Sequence, residues 1–176
     1  MAFGWRPRPR APDVRIAHVR PALREIAAQL EARGKKLTMA TTDPENGTPE
    51  SPWRLKTPPG TSDYEAWRDL AFDPPALVVQ VGKTQLRYQL RCIEDLHAML
   101  KGHGEWMPLG SADEQKPAAE GTVEAWGRAT DNPVKGWYGM KKGLRGRFGM
   151  YVPPVLEALG LAELEHHQKN NRVRAK

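Results

Sequence analysis

The sequence contains a single cysteine, Cys92, in 176 residues. One cysteine cannot form an internal disulfide, and it excludes zinc and iron–sulfur sites that need several thiolates. Long apolar stretches are missing as well, because the longest uninterrupted run is Ala76–Val79. A helix that spans a membrane needs ~20 such residues. We therefore predict that no segment of this sequence crosses a membrane.

The N-terminal segment lacks the apolar run of a secretory signal, so we expect the protein to stay in the cytoplasm. Pro7, Pro9 and Pro12 alternate there with arginines. This composition favours an extended, solvated backbone over a packed element. We predict a basic arm over residues 1–15.

The formal net charge of +6 is unevenly distributed along the chain. Residues 1–20 carry five arginines and one aspartate, and residues 128–176 carry ten basic and four acidic side chains. Residues 21–127 contain 12 basic and 16 acidic side chains, a net charge of −4. Basic ends around an acidic body are typical of a protein that meets a polyanion, most commonly nucleic acid. The alternative is that the charge serves only solubility.

The first half of the sequence predicts an α+β subdomain over residues 16–110. Apolar residues at three- and four-residue spacing predict a helix over 21–33. Strand patterns follow between 37 and 90, and 62–70 fits either a strand or a helix. The apolar segment 76–81 and the alternating segment 85–91 predict a hairpin within a small antiparallel sheet, followed by a short helix that ends at Gly102.

A segment rich in glycine, proline and alanine near 110–121 predicts a boundary, followed by a basic helical subdomain over 122–176. It begins with a helix over 122–129 and continues with a second one over 155–159. Two alternating segments, 161–166 and 172–176, predict a C-terminal β-hairpin with basic side chains.

The stretch 133–152 carries five glycines among lysines and arginines. Read as one helix, its apolar residues share an arc, and glycines and lysines share the opposite face. Glycine has no Cβ, so such a face could approach a phosphate closely. The alternative is that Gly143 and Gly146 turn the chain between two shorter helices.

The order of helix, Gly160 and basic hairpin resembles the end of a winged helix-turn-helix domain. That resemblance covers about the last 35–45 residues and implies a helix in the major groove and a hairpin on the DNA backbone. Taken whole, the chain also resembles an uncharacterised family of small actinobacterial proteins, which implies no activity. This second resemblance lies in the segments Gly136–Gly139, Lys142–Phe148 and Tyr151–Pro154.

Signatures of catalysis are missing. The sequence has no Gly-x-Ser-x-Gly motif and no phosphate-binding loop. Cys92, His97 and His103 do not share one face of a helix, so we predict no metal site and no cofactor. The spacing of Glu114 and Lys116 also occurs in metal-dependent nucleases, which makes a nuclease a third hypothesis.

From the residues we therefore predict a non-enzymatic protein that binds nucleic acid, in the first place double-stranded DNA. The alternative is a protein–protein interaction module whose glycine face receives a partner helix. A homodimer is one form that this alternative allows. Cations would contact phosphate, and Tyr138, which lies off the apolar arc, is the candidate for base contact. The predicted nucleic-acid-binding residues are Lys135, Tyr138, Lys141, Lys142, Arg145, Arg147, Lys169, Arg172 and Arg174.

Overall fold

A computed structural model describes residues 46–176 of the chain. The predicted arm over 1–15, the predicted helix over 21–33 and the strand pattern over 37–42 lie outside the described residues. The described part combines short helices with two antiparallel sheets, which confirms the α+β class.

The first sheet is a four-stranded meander in the order β1-β2-β3-β4. Its strands are β1 (Trp53–Lys56), β2 (Asp63–Asp69), β3 (Ala76–Val81) and β4 (Thr84–Gln89). Alternation places Leu86 and Tyr88 on the buried face, as the hairpin pattern predicted. The ambiguous segment 62–70 contains β2, which pairs on both sides.

Four helices follow the first sheet. They are α1 (Cys92–His103), α2 (Val123–Trp126), α3 (Phe148–Tyr151) and α4 (Pro153–Ala158). The helix α1 continues past its predicted end at Gly102 to His103 and is capped by Gly104, whose φ of 75° lies in the left-handed region that favours glycine. At the start of α2, the Thr122 hydroxyl accepts a hydrogen bond from the Ala125 N–H at 3.1 Å. None of the helices in residues 46–176 is long and apolar enough to cross a membrane.

The C-terminal hairpin belongs to a second, three-stranded sheet. Its strands β6 (Ala162–Leu164) and β7 (Arg172–Ala175) pair as predicted, and β7 also pairs with β5 (Met107–Pro108). The hairpin is therefore not a free wing, because its second strand lies in the middle of the sheet. The preceding helix α4 has six residues, four of them buried, so it offers little exposed surface to a groove.

The segments on the two sides of the predicted boundary share one hydrophobic core. The Tyr64 hydroxyl donates to the Tyr151 carbonyl oxygen at 2.9 Å, and the Tyr88 hydroxyl donates to that of Gly146 at 2.8 Å. Residues 46–176 also belong to one compact unit. Among the described residues, both sides of the 110–121 segment therefore contribute to one core.

The stretch 133–152 is not one helix. Lys135, Gly143 and Arg147 have φ values of 61°, 91° and 60°, which a continuous right-handed helix does not allow. Only its last turns are helical, in α3. An added Cβ at Gly149 would collide with the carbonyl oxygens of Leu109 and Gly110. This glycine therefore serves the packing of the chain against itself.

We expect Gly149→Ala to lower the free energy of unfolding by about 1–3 kcal/mol, because the new Cβ must push the backbone apart. The matched control is Gly102→Ala in α1, where a Cβ meets nothing within 4 Å. This control should stabilise the protein by about 0.5–1 kcal/mol through helix propensity. Urea unfolding measures both, and equal effects of the two substitutions would contradict the packing argument.

Candidate nucleic-acid interface

Residues 133–147 form a connection that we name the lysine loop, since it carries Lys135, Lys141 and Lys142. At its start, the buried Asn132 side chain accepts from the Val134 and Gly136 N–H groups at 3.1 and 3.3 Å. Its amide nitrogen donates to the carbonyl oxygens of Trp126 and Gly136, each at 2.8 Å. Asn132 therefore fixes the turn that presents Lys135.

The middle of the lysine loop is joined to the outer edge of β4. The Gln89 N–H donates to the Tyr138 carbonyl oxygen, and the Met140 N–H donates to that of Arg87, both at 2.9 Å. At Gly139 a Cβ would collide with the backbone of Arg145. The loop thus adds a short bridge to the sheet and folds tightly on itself.

Arg145 and Arg147 anchor the end of the lysine loop. The guanidinium of Arg145 binds the Glu114 carboxylate, whose second oxygen accepts the Arg145 N–H at 3.1 Å. The Arg147 Nε donates to Asp113 at 2.6 Å. We predicted that both arginines contact phosphate. In the structure their guanidinium groups instead bind carboxylates of a segment more than 30 residues away in the sequence.

Trp137 packs beside two guanidinium groups. The Cζ atoms of Arg128 and Arg145 lie 4.4 and 4.7 Å from its ring centroid, within the range of cation–π attraction. Arg128 also binds the buried Glu124 and donates to the Ala112 carbonyl oxygen at 3.0 Å. Sequence reasoning missed this network, in which arginines hold the loop rather than face a ligand.

Tyr138 is fully buried, so it does not offer its ring to a base. It stacks on Trp126 and Phe148, with ring centroids 5.4 and 5.3 Å away. Its hydroxyl donates to Asp95 at 2.9 Å, and burial raises its pKa. The helical wheel placed Tyr138 off the apolar arc because it assumed a continuous helix. In this conformation no exposed ring supports the predicted base contact of Tyr138.

The three lysines of the loop differ from its arginines. Lys135, Lys141 and Lys142 are exposed, and within residues 46–176 no carboxylate lies in ion-pair range of them. Lys135 also holds a left-handed φ of 61°, which costs a residue with a Cβ roughly 1–2 kcal/mol. Backbone strain of this kind occurs preferentially at functional sites.

The predicted cations of the C-terminal hairpin fall into two groups. Arg172 and Arg174 pair with Glu165 and Glu163 across β6 and β7, both at 2.6 Å. The Trp106 ring lies beside the same two guanidinium groups, at 5.6 and 4.7 Å. Lys169, in the β6–β7 connection, is exposed. The hairpin face is therefore close to charge-balanced.

The ion pairs change the acidity of their carboxyl groups. Hydrogen bonds from Arg145 and Arg147 lower the pKa values of Glu114 and Asp113, and those from Arg172 lower the pKa of Glu165. Glu124 behaves in the opposite way, because burial raises its pKa despite the Arg128 partner. The half-buried Glu114 and Asp113 thus stay ionised at neutral pH and hold the end of the lysine loop.

The geometry around Glu114 gives the nuclease hypothesis no support. Both oxygens of this carboxylate bind Arg145, and within residues 46–176 no group of three or more His, Cys, Asp or Glu side chains is arranged to hold a metal ion.

Comparison with known protein families matches residues 45–176 to one family, and that family is of unknown function. No curated protein and no solved structure matches the chain. The match covers the whole described part, including the lysine loop and both sheets.

Acid is expected to loosen the end of the lysine loop. A carboxyl group whose pKa is lowered on folding stabilises the fold above its unfolded value of about 4, and this contribution disappears as the pH falls through the folded pKa. Glu114→Gln should therefore flatten the loss of stability between about pH 5 and pH 3. Urea unfolding at several pH values measures this, with the exposed Glu105→Gln as the control. An unchanged pH profile in Glu114→Gln would contradict the assigned role.

Proposed function

The chain belongs to the DUF6855 family of unknown function, and we propose that it is a cytoplasmic, non-enzymatic protein that binds nucleic acid through the lysine loop. The observation that carries the proposal is the division of roles within this loop. Its arginines are engaged by carboxylates of the same chain, and its three lysines are exposed without such partners among the described residues.

The fixed shape of the loop supports a binding role. Asn132, the bridge to β4, and the Arg145 and Arg147 pairs hold it at its start, middle and end. A loop that is already ordered loses little conformational entropy when it binds. When the three lysines bind phosphates, only their own side chains lose conformational freedom, because the backbone of the loop is already fixed.

The ligand class follows from what the loop exposes. Exposed lysines contact phosphates, which position a nucleic acid without reading its bases. The nearby rings of Tyr138, Phe148 and Tyr151 are buried, and the half-buried Trp137 ring already packs beside two guanidinium groups. The loop therefore offers no row of free rings of the kind that favours single strands. This combination favours duplex DNA, bound through its backbone and without strong sequence preference.

The contact set is narrower than the sequence indicated. Arg172 and Arg174 are paired with glutamates, so the proposal assigns the hairpin no part in the interface. Binding through the lysine loop also does not require a helix to enter the major groove, as the winged-helix resemblance would imply.

We expect the triple substitution of Lys135, Lys141 and Lys142 by alanine to weaken binding of a duplex DNA probe. The slope of log affinity against log salt concentration should fall by about 2–3, since each lost phosphate contact removes ~0.9 on B-DNA. Fluorescence anisotropy between 50 and 200 mM salt, the range in which such contacts dominate, measures this.

The matched control removes the same charge elsewhere, by alanine at the exposed residues Lys56, Lys101 and Lys176. If the two triple variants bind DNA equally, the lysine loop is not the interface and the effect is one of net charge. No binding by the unmodified protein at low salt would overturn the function itself.

A second candidate function, self-association, rests on a different observation. Leu70 and Phe72, in the connection between β2 and β3, are 71% and 38% exposed. Exposed large apolar side chains close together are a feature of protein–protein contacts. The glycines do not supply this surface, since Gly139, Gly146 and Gly149 pack against the chain's own backbone.

If this surface forms a homodimer, light scattering of the unmodified protein should give twice the chain mass of 19.7 kDa. Leu70→Glu combined with Phe72→Glu should restore the monomer mass, because carboxylates would be buried in the interface. Ser62→Glu with Thr84→Glu adds the same charge at exposed positions and should leave the dimer intact. A monomer in the unmodified protein removes this candidate.

A further inference from the structure

A cleft of about 670 Å³ lies apart from the lysine loop. Its walls come from the Pro58–Pro59 turn, from residues 108–111, and from the β6–β7 connection. Most of its surface is apolar, with Leu109, Met150 and three prolines in the lining. Sites for small molecules have this character and volumes of roughly 300–1,000 Å³. No residue of the lysine loop lines it.

The walls of the cleft are each held by specific hydrogen bonds. Asn171 closes the β6–β7 connection, since its side chain accepts from the His167 N–H at 2.6 Å and donates to the His167 carbonyl oxygen at 2.8 Å. Its own carbonyl oxygen accepts the Leu109 N–H at 3.0 Å. The β6–β7 connection is therefore stabilised by hydrogen bonds within itself and by one to Leu109 on the floor of the cleft.

The opposite walls are fixed in the same way. The His166 Nδ1 donates to the Pro58 carbonyl oxygen at 3.1 Å, which ties the proline turn to the hairpin. The Thr122 hydroxyl donates to the Ala119 carbonyl oxygen at 2.6 Å. On the floor, Gly149 lies against the carbonyl oxygens of Leu109 and Gly110. The cleft is thus formed by the fold itself and needs no rearrangement to admit a ligand.

The charges of the cleft have one sign. Among residues 46–176, the ionisable side chains that line it are Lys169 and Arg172, and no carboxylate of this part of the chain lines it. Arg172 is oriented by Glu165, which binds its guanidinium at 2.6 Å. Lys169 is exposed. Lys169 lies in the β6–β7 connection and Arg172 begins β7, so the cleft has a cationic side and an apolar remainder.

We propose that this cleft binds a small amphipathic carboxylate. The apolar chain of the ligand lies against the prolines, Leu109 and Met150, and its carboxylate lies beside Lys169 and Arg172. Burial of the chain supplies the affinity. Lys169, with the Glu165-paired Arg172 beside it, selects the charge of the head group. This binding is independent of the proposed contact with nucleic acid, because it uses other residues and another ligand class.

Three probes with the same apolar chain and different head groups test the proposal on the full chain: decanoate, decanol and decylamine. Calorimetric titration below the micelle concentration should give sub-millimolar affinity for decanoate, weaker binding of the neutral decanol, and the weakest binding of the cationic decylamine. Amide chemical-shift changes with decanoate should centre on Gly110, Gly149 and residues 168–172.

Two variants locate the site. Ala119→Trp places a large ring in the cleft from an exposed position and should reduce decanoate affinity at least tenfold. Lys169→Ala should weaken decanoate by about two- to fivefold, as for an exposed ion pair, and should leave decanol unchanged. Lys101→Ala, on α1, removes the same charge outside the cleft and should change the affinity for neither decanoate nor decanol.

Equal affinity for the three probes would overturn the assigned ligand class, because it would indicate apolar adsorption only. Shifts outside the cleft, or decanoate binding that survives Ala119→Trp, would overturn the assigned site. Failure of the DNA experiment leaves these outcomes unaffected, since none of them involves the lysine loop.

Discussion

The buried carboxylate of Glu124 holds together the parts on which both proposed sites depend. Its oxygens accept from the Arg128 guanidinium and, at 2.7 Å, from the Gly149 N–H, while its own N–H donates to the Leu109 carbonyl oxygen at 2.9 Å. A buried charge is costly unless it is paired and hydrogen-bonded, and here every contact is made by a different segment. Through these contacts Glu124 joins α3 to the floor of the cleft and holds Arg128 beside Trp137 of the lysine loop.

The division between arginine and lysine in the lysine loop follows from the chemistry of the two side chains. The guanidinium group is planar and weakly hydrated, so it suits partly buried, bidentate pairs such as Arg145 with Glu114. The ammonium group is compact and strongly hydrated, which favours exposure, as at Lys141 and Lys142. The formal net charge counts the paired arginines and the exposed lysines equally. It therefore overstates the number of cations that are available to a ligand.

Much of the fold could be predicted because its signals are local. The apolar run of β3, the alternation in β4, the apolar spacing in α1 and the alternating segments of β6 and β7 each lie within a few residues. The segment of β2 was ambiguous because its strand pairing depends on neighbours in the sheet. Apolar spacing in 133–152 indicated a helix, but the left-handed backbone at Lys135 and Arg147 prevents one, and that conformation depends on distant contacts.

The candidate site was harder to predict for the same reason. Lys135, Lys141 and Lys142 are exposed, which agrees with the strong hydration of the ammonium group. The partners of Arg145 and Arg147 lie 31 and 34 residues away, and no spacing rule joins them. Tyr138 was misplaced because its burial follows from packing against Trp126 and Phe148 rather than from periodicity. The cleft, formed by backbone and loops, has no sequence pattern of its own.

The position of β7 between β5 and β6 has a consequence for the folding pathway. Met107 pairs with Val173, so the middle strand of this sheet reaches its neighbour across a long stretch of chain. Pairings of such high contact order form late and slow the folding of a domain. The meander of β1 to β4, joined by short connections, is free to form first. Until β7 is inserted, β5 and β6 have no common partner, and their unpaired edges are open to contacts between chains.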